Sequence, residues 1–316
     1  MVVAAPPICR VALRRDFPSP GLCVQSAGGD VTLLAEGDVS AYYWAPRSST
    51  LVFQREADLY LQPISGPPEA LLTGLVVGGK RMTAIHPAGQ WLATLAAGAC
   101  FVLPIVPDLG SGERIQLPSD LVPWDIQWCR RGHGVTIACT RGEEPVLQVV
   151  DLADRAMSSV PLDCELLAAR ASDGRLMARR GELGSGEEEA GVLTDDGRFE
   201  PLFCVPEDAY IAAYLPGPDR FLLVAGAEEA DPTAFTLVSS SGLPGKPWLR
   251  RFPCLADWSF STDGSVMAAV DQDADRIILA RVGSEAVTSI PLSAPDDDGD
   301  DQASYVRPAP SDSDVT

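Results

Sequence analysis

Six segments of the chain repeat one pattern: a short strand ending in a large residue, a turn of Pro, Gly, Asp or Ser, and then an apolar strand. The large residues are Trp44 (AYYWAPRSSTLVF), Ile85 (MTAIHPAGQWLATL), Trp128 (DIQWCRRGHGVTIAC), Arg170 (LAARASDGRLMA), Tyr214 (IAAYLPGPDRFLLV) and Phe260 (DWSFSTDGSVMAAV). They stand 41, 43, 42, 44 and 46 residues apart. A period this regular restricts the chain to a repeat architecture, in which each unit covers its apolar faces with its neighbours.

A third strand follows in each unit, as in DLYLQPI at 58–64, PVLQVVDL at 145–152 and DRIILARV at 275–282, and then a fourth, as in EALLTG at 69–74 and EAVTSIPL at 285–292. Four short strands per unit of this length define a β-propeller blade. Long segments with apolar residues at helical spacing, which a helical solenoid needs, are missing. One period before Trp44 lie ICRVALR, GLCVQS and VTLLA, a unit without its innermost strand. The expectation is an all-β propeller of seven blades, each of four antiparallel strands. The first blade then takes its inner strand from Val2 and Val3, or from Ser304-Tyr-Val306 returning from the C-terminus. Six blades with an irregular N-terminal cap is the alternative count.

The turns, with Ala-Pro or Ser-x-Asp-Gly ahead of an apolar strand, and the Asp58-Leu-Tyr-Leu61 third strand resemble those of TolB-like propellers. The same propeller type occurs at the N-terminus of prolyl-oligopeptidase-type enzymes. As a repeat the resemblance spans nearly the whole chain, and it is specific over about residues 41–74 and 257–282. Gly-His and Trp-Asp dipeptides are absent from the places a WD-repeat protein puts them. The resemblance implies a propeller without the hydrolase domain of the peptidases.

Charge narrows the partners. The formal net charge is −20, which repels phosphate backbones and anionic headgroups, so nucleic acid and membrane surfaces are not expected ligands. No apolar run is long enough to span a bilayer, and the N-terminal residues lack the pattern of a secretory signal, so the expected location is the cytoplasm. The eight cysteines form no C-x-x-C pair and no Cys/His cluster, and no cofactor is implied. Cys100 and Cys139 sit in apolar runs and read as small hydrophobes. The propeller is expected over 1–294. Residues 295–316, with five aspartates in the six positions 296–301, read as a disordered acidic tail.

Few motifs carry chemistry. No G-x-S-x-G elbow is present, and neither Gly-Ser-Gly loop continues into a phosphate-binding motif. Asp271, Asp273 and Asp275 alternate as at the start of a calcium loop. Position 6 of such a loop is Arg276 and position 12 is Val282, so a polar hairpin is the expectation and a metal site the weak alternative. His86 and His133, the two histidines, fall in equivalent turns of neighbouring repeats, where they are read as exposed turn residues. The weaker alternative is a metal-binding or general-base pair. Glu187-Glu-Glu189 reads as a solvated turn.

In a propeller the innermost strands line the central channel. The alternation places Tyr42, Arg81, Asp125, Arg170, Asp208, Tyr210 and Asp257 there as candidate ligand-binding residues. The expected function is a non-catalytic scaffold that binds a neutral or basic protein, with Trp124, Trp248 and Tyr305 as exposed loop aromatics. The alternative is a small hydrolase, lyase or isomerase acting on a polar small molecule in the channel.

Overall fold

The computed structural model describes residues 10–308 apart from 16–20, 27–30, 38, 46–49, 64–65, 75–81, 107–108, 130–131, 183–185, 226–233, 251, 253–254, 262, 272–273, 275 and 292–304. The chain divides into two compact units, Met1–Gly78 with Cys254–Thr316, and Gly79–Pro253. Both are all-β.

The first unit holds three antiparallel sheets. One contains β1 (Arg10–Arg15), β2 (Gly21–Ser26) and β3 (Val31–Glu36). Blade 1 is β4 (Val39–Trp44), β5 (Thr50–Arg55), β6 (Asp58–Pro63) and β7 (Glu69–Leu72).

The second unit holds four sheets. Blade 2 is β8 (Thr83–Ile85), β9 (Trp91–Ala96), β10 (Ala99–Pro104) and β11 (Glu113–Gln116). Blade 3 is β12 (Leu121–Cys129), β13 (Gly134–Arg141), β14 (Glu144–Asp151) and β15 (Met157–Pro161). Blade 4 is β16 (Glu165–Ala169), β17 (Leu176–Arg180), β18 (Glu189–Leu193) and β19 (Phe199–Cys204). Blade 5 is β20 (Ala209–Leu215), β21 (Arg220–Ala225), β22 (Ala234–Ser239) and β23 (Gly242–Trp248).

Blade 6, in the first unit again, is β24 (Leu255–Phe260), β25 (Val266–Asp271), β26 (Arg276–Arg281) and β27 (Val287–Pro291). The last strand, β28 (Tyr305–Pro308), pairs with β1, setting Leu13 opposite Val306.

These sheets correct the expectation of seven blades and agree with the alternative count of six. Six blades, β4–β27, are meanders of four consecutive strands. The N-terminal segment supplies only three strands, and its sheet, ordered β28-β1-β2-β3, is a composite of both ends of the sequence. The return of Tyr305-Val306 is found, within the stretch expected to be tail. Tail residues 295–304 and 309–316 lie outside the described ones.

Second strands are buried along most of their length, throughout in Val266–Asp271 and over six of eight residues in Gly134–Arg141. Both faces of these strands meet apolar side chains, which is why they read as unbroken runs with small residues such as Ala138, Ala178 and Ala268. Fourth strands are largely exposed, as in Met157–Pro161. The β9–β10 hairpin turns on Ala97 and Gly98, both at positive φ (47° and 72°), the two-residue turn whose twist matches the strands.

Neighbouring blades of the second unit are tied through their inner strands. Trp128 Nε1 donates to the carbonyl of Ala84 at 2.9 Å, joining β12 to β8. A large aromatic at the end of the inner strand thereby bonds a backbone carbonyl of the adjacent blade.

Candidate functional site

The residues expected to line a channel do not form one described cluster. Tyr42 is buried at 3% exposure among Val39, Trp44, Leu51 and Phe53, in the core rather than at a ligand site. The bulge between Val39 and Ala41 shifts the register of β4, an alternation the sequence does not reveal. Asp125 is buried and accepts from Gln127 Nε2 at 3.3 Å, next to the bulge at Pro123. Asp208 is exposed and Tyr210 half-buried. Arg81 lies outside the described residues, as does the side chain of Asp257.

Arg170 is taken up by a turn. Its guanidinium donates to Asp173 Oδ1 at 2.9 Å and also to Oδ2. The bonded guanidinium holds the Asp173 carboxyl below its usual value. Across the next turn Tyr214 donates to Asp219, which also accepts from Ser240 at 2.8 Å. Burial, then the bond to Asp219, pushes the Tyr214 phenol up. This group locks the turns after two inner strands.

Asp271 pairs with Arg276 across the β25–β26 hairpin, accepting from its Nε at 2.9 Å, the arrangement of a polar hairpin. Asp273 and Asp275 lie outside the described residues, and among those described no three His, Cys, Asp or Glu side chains are grouped to hold a metal. His86 is half-buried, its ring edge-on to Trp128 at 4.8 Å. Burial, then the charge of His133, lowers its pKa. His133 is exposed.

Polar side chains converge elsewhere, between blades 3 and 4. A cleft of about 610 Å³ opens where β12, β14 and β16 begin, lined by Trp124, Leu162, Asp163, Cys164, Glu165, Arg179 and Arg180. Glu165 opens the inner strand of blade 4, and Arg179 is next to last in the strand beside it, where the antiparallel register sets the two directly opposite. Arg179 donates to Glu165 Oε2 from Nε at 2.9 Å and from a terminal nitrogen at 2.6 Å. Its other terminal nitrogen donates to the Ile211 carbonyl of blade 5 at 2.7 Å and lies 3.5 Å from Glu188. Arg180 pairs with Glu189 at 2.8 Å and Asp163 at 3.3 Å, its guanidinium 4.5 Å over the Phe199 ring.

Glu188 corrects the expectation of a solvated acidic turn at 187–189. It is 1% exposed and accepts the Ile211 N–H. Burial raises its pKa, against the pull of that N–H and of Arg179. Its neighbour Glu187 is exposed, as the turn reading requires. Cys164 beside the cleft has its thiol pushed up to about 12 by burial, with Asp163 adding to the shift, so it stays protonated at neutral pH.

Two aromatics expected in exposed loops are placed otherwise. Trp248 is 2% exposed in β23, ring to ring with Phe235. Trp124 belongs to β12 and is half-buried on the cleft wall. The side chain of Tyr305 lies outside the described residues. Among the described residues no helix is long and apolar enough to cross a membrane.

Six consecutive four-stranded meanders define a β-propeller, and comparison with solved structures agrees on that class. An oligogalacturonate lyase in complex with manganese superposes with a TM-score of 0.61 at 12% identity, covering 93% of this chain and 88% of the lyase. A prolyl endopeptidase superposes at 0.58 and 11% identity over 90% of this chain, which spans 48% of the peptidase. TolB from Acinetobacter baumannii gives 0.46 and 14% identity over 76% of this chain and 64% of that one. At these identities the likeness is one of fold. Comparison of the sequence with protein-family models and with curated proteins gives no match.

Proposed function

We propose that this protein binds a polar small molecule in the cleft between blades 3 and 4. The observation that carries the reading is the Glu165–Arg179 pair, fixed at 2.6 Å and facing a cleft of about 610 Å³ beside the indole of Trp124. An apolar wall with a few oriented polar groups is the usual make-up of a small-molecule site. The volume lies in the range such sites occupy. The burial of Trp248 removes one aromatic anchor that a scaffold reading relies on.

Two donors of Arg179 fix Glu165 through Oε2, which suits the carboxylate to receiving and orienting a ligand's donor group. Binding is therefore the function assigned, and turnover is tested with it. Full-length protein is dialysed against a metabolite extract, and the retained compounds are read by mass spectrometry alongside Trp124→Leu. Retention that the substitution abolishes supports the site. Equal retention by both proteins, or none by either, overturns it. A retained compound altered over time identifies an enzyme.

A further inference from the structure

The composition of the cleft points further, to the charge of its ligand, an inference that rests on the cleft being the binding site. The charged residues that line it are Asp163, Glu165, Arg179 and Arg180, with no lysine, and Glu188 and Glu189 pair with those arginines, so four carboxylates meet two arginines. Inside, each arginine is shared by two carboxylates, Arg179 by Glu165 and Glu188, Arg180 by Asp163 and Glu189. The guanidinium donors are thus mostly committed, and the flat face of Arg180 is covered by Phe199. A carboxylate accepts about four hydrogen bonds, so acceptor capacity exceeds the donors present. Trp124 contributes the side chain whose face best attracts a cation. The chain's net charge of −20 adds a field that concentrates cations at such a mouth.

We infer that the cleft binds an organic cation, an ammonium group on a short apolar stem. The stem and cation lie against Trp124, and Asp163 and Glu165 receive the ammonium protons. An anionic ligand meets arginines already neutralised by their partners and an acidic rim. Two sources share the chemistry, a free alkylamine and the lysine side chain of a peptide.

The test uses the full chain and isothermal titration with pentylamine, pentan-1-ol and pentanoate, together with the blocked tripeptide acetyl-Gly-Lys-Gly-amide. Saturable binding of pentylamine is expected, weakened at least tenfold by the exposed substitution Asp163→Asn, by Trp124→Leu, and by raised salt. A tripeptide that binds tenfold tighter than pentylamine identifies the peptide source, and comparable affinity the free amine. Should pentanol or pentanoate saturate the cleft while pentylamine does not, the cation is wrong and the cleft reading stands. A neutral or anionic compound retained through Trp124 also overturns the cation and leaves the cleft in place. If no compound is retained through Trp124, the cleft reading falls and the cation with it.

Discussion

Glu188 of blade 4 accepts the backbone N–H of Ile211 in blade 5, its two oxygens at 3.2 and 3.3 Å, while Arg179 donates to the carbonyl of the same residue at 2.7 Å. An acid and a base from one blade together satisfy both backbone groups that the inner strand of the next turns away from its own sheet. Two side chains do here what a further strand does elsewhere in a sheet.

Removing one partner strands the other. Arg179→Ala leaves Glu188 buried without its counter-charge and the Ile211 carbonyl without its donor, and is expected to destabilise the fold by about 3–5 kcal/mol. Glu188→Gln keeps an acceptor for the Ile211 N–H and is expected to cost about 1–2 kcal/mol. Urea midpoints of the two variants check the order. An Arg179→Ala cost no larger than that of Glu188→Gln shows that the pair is not a structural unit.

Because burial raises the Glu188 carboxyl above its ordinary 4.5, the folded chain holds that proton more tightly than the unfolded chain. Its contribution to stability therefore grows as pH falls from above the folded value toward 4.5, and is constant below. Asp173 works in the opposite sense, since its lowered carboxyl loses stabilisation as pH falls through its folded value. The difference in unfolding free energy between wild type and Glu188→Gln isolates the first effect. Wild type is expected to gain on the variant from pH 7 down to about 4.5. A flat difference places the Glu188 pKa at its unfolded value.

The blades were legible in the sequence because their signal is periodic. Trp44, Trp128 and Tyr214 are buried at inner-strand ends, where the repeat put them. The cleft was not, because its parts come from first, second and third strands of two blades and from a turn. Glu188 looked solvated since two of its sequence neighbours are acids, and only the approach of Ile211 from the next blade buries it. Bulges at Val39/Ala41 and Pro123/Asp125 reset the alternation on which the choice of Tyr42 and Asp125 rested. Arg179, opposite Glu165 in a hairpin, was in principle recoverable as a cross-strand pair of opposite charge.

The bond from Trp128 Nε1 to Ala84 makes a second prediction about blade contacts. Trp128→Phe keeps most of the apolar contact and the neighbouring His86 ring, yet removes the donor and leaves a carbonyl without it. The expected cost is about 0.5–1.5 kcal/mol. Hydrogen exchange should rise in 83–85 and 121–129 before it rises in blade 5. A uniform rise across the second unit locates the loss in global stability instead.

Thiol reactivity should follow exposure and burial. Cys204 is exposed, whereas burial pushes Cys100 to about 12 and Cys139 to about 11. A short iodoacetamide pulse at pH 8 is expected to label Cys204 first among the described cysteines. Cys100 and Cys139 should label only in urea, since the thiolate is the reacting species. Early labelling of Cys139 in native buffer implies that blade 3 opens locally.

Gly132 is constrained from two sides. Its φ of 89° lies where side chains are disfavoured, and a Cβ there meets His86 Nε2 at 2.0 Å. Gly132→Ala must therefore strain the backbone and displace an imidazole that packs edge-on against Trp128. The backbone part alone costs about 1–3 kcal/mol. His86→Ala clears the space without relaxing φ, so the double substitution should be less harmful than the sum of the two by about 0.5–3 kcal/mol. A double-mutant cycle in urea measures that coupling. Simple additivity means that φ alone demands the glycine, and the contact between the two turns then contributes nothing to their placement.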